Sequence, residues 1–255
     1  MADLESKNTW VFNTEDDGPK WGVFKSEAIF RLVIFLIGLA GLIAVGFTIE
    51  VIVLIINPSL LNSESDLYIN GLATVNTVQY LIVLGVLIFL LWPRLVHLVH
   101  RFKYWKHVLI GLGVGVAIIG FTILYNLVIS QFIEIETNSN EQAAENMIKA
   151  FPAVSIFILG FVGPIVEEFT YRYGLFNLLK RKSRILAYIV ASFVFGIIHF
   201  DFTADLVTEL LNFPVYIACG LLLGLAYDFC GIEASLTAHI TNNLYAVIMT
   251  LIEKE

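Results

Sequence analysis

Hydrophobic and polar positions along the chain separate into long blocks. Seven blocks approach or exceed the roughly 20 mostly apolar residues that a helix needs to cross a bilayer. They cover residues 29–56, 78–96, 108–132, 150–179, 185–199, 206–229 and 232–252. The expected fold is therefore all-α: a polytopic transmembrane helical bundle of about seven spans. Pro214 interrupts the sixth block and would kink or split it, which leaves an eighth crossing open. Residues 1–27 form a polar N-terminal segment, residues 28–133 the N-terminal transmembrane helices, residues 134–149 a polar loop, and residues 150–255 a second membrane region.

Lysine and arginine give the orientation, because short loops rich in them stay in the cytoplasm. Lys20, Lys25 and Arg31 precede or open the first block. Arg94, Arg101, Lys103 and Lys106 lie between the second and third, and Lys180, Arg181, Lys182 and Arg184 between the fourth and fifth. The intervals 57–77 and 201–205 have none, and 133–149 has one. Every second loop is basic, as seven spans with a cytoplasmic N-terminus require. Trp21, Trp92 and Trp105 sit near expected interfaces, where indole is favoured.

Composition sharpens this picture. The chain is 58% hydrophobic and 15% charged, with a mean hydropathy of +0.82. Soluble domains average roughly 45–50% apolar and about 25% charged. The net charge is −7, and no basic stretch tracks nucleic acid, so a nucleic-acid partner is not expected. Membrane lipid is. The acidic, polar start does not resemble a signal peptide. Cys219 and Cys230 lack the spacing of a zinc knuckle or redox pair and read as small core residues. Gly111/Gly115 and Gly220/Gly224 would allow close helix contact.

Ionisable groups inside a membrane cost on the order of 3 kcal/mol or more and are functional candidates by default. The C-terminal half holds three groups of polar residues. Glu167 and Glu168 are adjacent, and Glu168 shares a helix face with Arg172. Phe195 and His199 end the fifth block. His239 and Asn243 lie four apart in the seventh and present one face. A buried Glu168–Arg172 pair would explain one carboxylate and leave Glu167 without a partner in its own helix. At 1.5 Å per residue, Glu167 lies about 20 Å from Lys180, and His199 about 22 Å from Arg184. His239 and Asn243 lie about 10 and 16 Å from Ile232. One buried polar site accounts for all four.

Two carboxylates, two imidazoles and a carboxamide fit hydrolysis by activated water. A carboxylate in an apolar pocket can take a proton from water, and a histidine can share that water or protonate the leaving amine. Histidine and asparagine can donate to the oxygen that becomes negative. Zinc held by Glu167, His199 and His239 would do the same work, so a metal stays open as cofactor, although no HExxH is present. No serine lies in a G-x-S-x-G elbow.

Glu167-Glu168-x-x-x-Arg172, Phe195-x-x-x-His199 and His239-x-x-x-Asn243, in that order, resemble the CPBP family of membrane proteins. That family includes the CAAX prenyl endopeptidases and bacterial proteins linked to bacteriocin processing and self-immunity. The resemblance covers roughly residues 150–252. It implies an intramembrane protease in which Glu167 activates water with help from His199. His239 and Asn243 would form the oxyanion site, with Glu168, Arg172 and Phe195 in support. Members are commonly named metalloproteases, and a glutamate-dependent mechanism has also been argued. Many members place Gly directly after the motif arginine; here Tyr173 intervenes before Gly174. The substrate would be a peptide or a membrane-protein segment, in a bacterial cell membrane. Two other readings compete: a binding or immunity protein that contacts a peptide toxin or a membrane sensor, and a proton-coupled transporter. The transporter would usually show repeat symmetry, which is not visible.

Overall fold

The structure is a computed structural model and describes residues 20–133 and 136–253. Most of the polar N-terminal segment, residues 1–19, lies outside the described residues. The described residues form eight helices of twelve residues or more: α1 (Glu27–Ile56), α2 (Tyr68–Lys103), α3 (Trp105–Ile129), α4 (Ser139–Ala150), α5 (Pro152–Lys180), α6 (Arg184–Ile197), α7 (Leu206–Cys230) and α8 (Ile232–Ile252). Among the described residues there is no β-strand. All seven expected blocks are helical, and the chain is a helical membrane protein.

Five helices, α1, α2, α3, α5 and α7, are long and apolar enough to cross a membrane. The other two blocks fall short for different reasons. α6 has 14 residues, about 21 Å against a hydrocarbon core of about 30 Å. α8 has 21 residues but carries Glu233, His239, Asn242 and Asn243. Helix α7 passes through Pro214 without splitting, so no eighth crossing arises there. The expected polar loop instead contains α4. Asn138 caps it by accepting from the Glu141 backbone N–H at 2.9 Å, as a helix N-terminus requires.

Helix α5 is central. Of its apolar window 56% is buried, against 22%, 28% and 17% for α1, α2 and α3. The faces of these three carry exposed Phe47, Ile55, Phe89 and Leu124, which suits lipid contact. α5 is not a plain α-helix. Ile158–Val162 and Glu168–Phe176 are π-helical, a form found mostly in short runs at functional positions. Small residues let the other helices approach. Gly111 and Gly115 of α3 lie against the α8 backbone at Ala234 and Ala238, and Gly220 of α7 lies against Ser192 of α6. A side chain at any of the three would collide with backbone. Gly224 has looser neighbours, the rings of Phe176 and Tyr188.

The basic loops are tied to acids at one end of the bundle, of which Asp228 and Glu233 are buried. Glu27 of α1 accepts from Arg94 of α2 at 2.8 and 2.7 Å. Asp228 of α7 pairs with Lys180 at 2.7 Å and Arg184 at 2.9 Å. Glu233 of α8 pairs with Arg101 and with His107, each at 2.7 Å. Tyr173, the residue that departs from the family pattern, is fully buried in this layer. Its hydroxyl accepts from Arg94 at 2.7 Å and its carbonyl from Arg31 at 3.0 Å.

Candidate active site

The site forms where α5, α6 and α8 meet. Glu167 is 6% exposed, Glu168 0%, Arg172 2% and His239 3%. The two glutamates point to different surroundings, as neighbours on a helix must. Glu168 Oε1 meets His239 Nδ1 at hydrogen-bond distance, 2.9 Å, and pairs electrostatically with Arg172 Nη1 at 3.2 Å. Arg172 also donates to the Gly220 carbonyl at 3.4 Å and lies 4.3 Å over the Phe195 ring. Glu168, Arg172 and His239 thus form one buried network against Phe195. The Glu168–Arg172 pair was legible from spacing; the second partner, His239, comes from another helix.

Glu167 has a different environment. Tyr80 of α2 donates its hydroxyl to Glu167 Oε1 at 3.0 Å. Oε2 lies 3.7 Å from His239 Nε2, beyond hydrogen-bond length. One oxygen is anchored by a neutral phenol, and the other faces the second nitrogen of the histidine that Glu168 holds.

Partners set the histidine tautomers. His199 lies just beyond the end of α6, and its Nδ1 is 2.7 Å from the Phe195 carbonyl. A carbonyl only accepts, so Nδ1 carries hydrogen and the neutral ring has its lone pair on Nε2. The ring stacks on Tyr216 at 4.6 Å and meets Phe195 at 4.9 Å. His239 Nδ1 likewise donates to a carboxylate. Asn243 Nδ2 donates to the Leu159 carbonyl, in the first π-helical stretch, at 3.0 Å, and Asn242 donates to Asn243 Oδ1 at 3.3 Å.

Glu167, His199, His239 and Asn243 all line one cavity of about 300 Å³. Its walls include Tyr80 of α2, Ile118 and Ile119 of α3, Ile148 of α4, Leu159 of α5 and Cys219 of α7. Asn140 and Glu141 of α4 stand at its polar side, where Tyr216 donates to Glu141 at 3.3 Å. Burial pushes the Glu141 carboxyl above its ordinary range, and the Tyr216 hydroxyl opposes that shift. The cavity shares Glu141 and Ile123 with a groove along α3 and α7, and shares Asn140 and His199 with another beside residues 200–203.

The metal reading gains no support from this arrangement: among the described residues, no three His, Cys, Asp or Glu side chains are grouped to hold an ion.

Sequence reasoning missed four contributors: Tyr80, Asn242, Tyr216 and Glu141. The N-terminal helices, in which the sequence reading placed no site residue, supply Tyr80. A signal existed in the polar run Asn76, Gln79 and Tyr80 within an apolar block. The hydroxyl of Tyr80 needs an acceptor in a membrane.

Residues 149–245 match the Rce1-like family of type II CAAX prenyl endopeptidases. The resemblance carried by the three motifs is borne out over that segment. The chain is 32% identical over 151 residues to YdiL, a candidate membrane peptidase of Bacillus subtilis, covering 56% of this chain and 58% of that protein. It is 28% identical over 155 residues to the membrane-embedded CAAX protease MroQ of Staphylococcus aureus, covering 54% of this chain and 59% of MroQ. The matches thus span less than two thirds of these relatives. No solved structure matches significantly. The N-terminal helices and Tyr80 lie outside the segment that matches the family.

Proposed function

We propose that this protein is a membrane-embedded endopeptidase that hydrolyses a peptide bond with water activated at Glu167. The observation that carries this reading is the unequal treatment of two adjacent carboxylates. Glu168 pairs with Arg172 and His239, whereas Glu167, which lines the cavity, meets a neutral phenol at one oxygen and turns the other toward His239 Nε2. Pairs of carboxylates with divergent surroundings are how one fold separates structural from proton-transfer roles.

In the proposed reaction Glu167 Oε2 takes a proton from water as its oxygen attacks the scissile carbonyl. His199 Nε2, held as the lone-pair side, steadies that water. Asn243 keeps a second N–H beyond the one given to Leu159 and donates it to the developing oxyanion. His239 joins it as a donor when protonated at Nε2. The proton then passes to the leaving amine, and the peptide bond breaks. Each step uses side chains of this chain alone.

The substrate in this reading is a peptide or a membrane-protein segment with an apolar residue beside the scissile bond, since Ile118, Ile119, Leu159 and Val247 wall the cavity. The setting is a bacterial cell membrane, as for YdiL and MroQ. With a cytoplasmic N-terminus, reporter fusions at Glu64, Tyr104, Asn140 and Lys182 should read outside, inside, outside and inside. Lys182 outside would invert the proposed orientation.

The decisive experiment uses the full chain in lipid nanodiscs with a mixed library of membrane peptides in ¹⁸O-water. Cleavage should place ¹⁸O in the new carboxylate and leave no covalent acyl-protein adduct by intact mass. Activity should survive thorough chelation. His239→Ala and Asn243→Ala should each lower the rate by about 100- to 1,000-fold, the usual cost of an oxyanion donor, with peptide binding retained. A wild-type protein that cleaves nothing while binding a peptide would replace this reading with the binding or immunity role.

A further inference from the structure

We propose that Tyr80 is a positioning residue of the hydrolytic site, supplied by the N-terminal helices to fix the rotamer of Glu167. The inference rests on the endopeptidase reading and adds a residue that lies far outside the segment matching the family.

Three observations converge on it. The Tyr80 hydroxyl donates to Glu167 Oε1 at 3.0 Å, across 87 residues of sequence. Both residues line the same cavity as His199, His239 and Asn243. Two neighbouring amides of α2 have other partners: Gln79 donates to the Leu42 carbonyl at 2.8 Å and Asn76 to the Leu72 carbonyl at 3.1 Å. Only Tyr80 of this run points its polar atom at the site.

The chemistry explains why a phenol suits this place. A base must keep one oxygen available and hold it still. An arginine on Oε1 would add a countercharge and weaken the carboxylate as a proton acceptor, the situation of Glu168. A tyrosine donates one hydrogen bond, adds no charge, and has a ring with few rotatable bonds. Anchoring Oε1 leaves Oε2, 3.7 Å from His239 Nε2, to meet a small nucleophile. Without the hydroxyl, Glu167 can turn about its side-chain bonds, and the fraction of molecules with Oε2 in place falls.

The test is Tyr80→Phe in the full-length protein, which removes one oxygen and keeps the ring. With a cleavable peptide, kcat should fall about 10- to 100-fold, the usual range for a hydrogen bond to a charged group, with KM within twofold. A control is Tyr125→Phe. It removes a hydroxyl that donates to the Leu211 carbonyl at 2.7 Å and should lower thermal stability without changing kcat. An activity-independent readout is the rate at which dicyclohexylcarbodiimide, an apolar reagent for protonated carboxyl groups, modifies Glu167, followed by peptide mass spectrometry. Modification should be faster in Tyr80→Phe. Unchanged kcat overturns the assignment. If the wild-type protein cleaves nothing, the endopeptidase reading fails by itself, and an unchanged labelling rate then overturns the Tyr80–Glu167 coupling as well.

Discussion

Replacing Glu167 with Gln is expected to lower peptide hydrolysis by about 100- to 10,000-fold, the usual range for loss of a general base, while the chain stays folded and inserted. Gln keeps the length of Glu, and its amide oxygen can still accept the Tyr80 hydroxyl that now reaches Oε1 at 3.0 Å. It cannot take a proton from water. No strong countercharge is stranded, because Glu167's near partners are a neutral phenol and, at 3.7 Å, His239. Thermal midpoint and cleavage rate should therefore separate cleanly: the first unchanged, the second nearly lost. Parallel loss of both would mean that Glu167 is a structural group. A variant that cleaves at the wild-type rate would place the base elsewhere.

The opposite pattern is expected next door. Arg172→Met should destabilise the protein by about 3–5 kcal/mol, the cost of breaking a buried ion pair on one side only. In a chain of this size that corresponds to a midpoint lower by roughly 10 °C. Glu168 is 0% exposed, and its Oε2 has no hydrogen-bond partner, so the carboxylate depends on what reaches Oε1. Removing Arg172 leaves His239 alone to balance it and withdraws the guanidinium from the Gly220 carbonyl and the Phe195 ring. The double variant Glu168→Gln/Arg172→Met should regain part of the loss, because both charges leave together. Unfolding followed in one detergent across the single and double variants measures this. A single variant as stable as wild type would show that the pair contributes nothing net.

The contrast between these two glutamates shows how far the site was legible in the sequence. Glu168 and Arg172 are four apart on one helix, so their pairing follows from the period of the helix. His239 and Asn243 share a face for the same reason. Depth counting brought His199 to the same zone. Tyr80 was not legible, because a tyrosine in an apolar block has many acceptors open to it, and only packing selects Glu167. The reach of His239 to Glu168 was hidden for a related reason: it joins α8 to α5, and sequence spacing says nothing across helices.

The membrane helices themselves were written in the residue order. Long apolar blocks must satisfy their backbone groups internally, which leaves helices as the outcome. The interval 134–149 misled, because α4 is amphipathic and short, and its polar face resembles a loop. α6 ends at Ile197, close to the end of its apolar block and two residues before His199. The basic loops were visible as charge. Their pairing with Glu27, Asp228 and Glu233 was not, since Arg94, Arg101, Lys180 and Arg184 each reach an acid on a helix remote in sequence.

By itself, then, the sequence determined an all-helical membrane chain, the three polar motifs, and the resemblance they carry. These depend on local periodicity and on the high cost of placing charge in hydrocarbon. Tertiary structure alone decided which carboxylate is neutralised and which faces the cavity. It also decided which histidine nitrogen is left with a lone pair, and that a tyrosine of α2 reaches Glu167. Those outcomes depend on contacts between helices, where a shift of one or two ångströms separates a hydrogen bond from none.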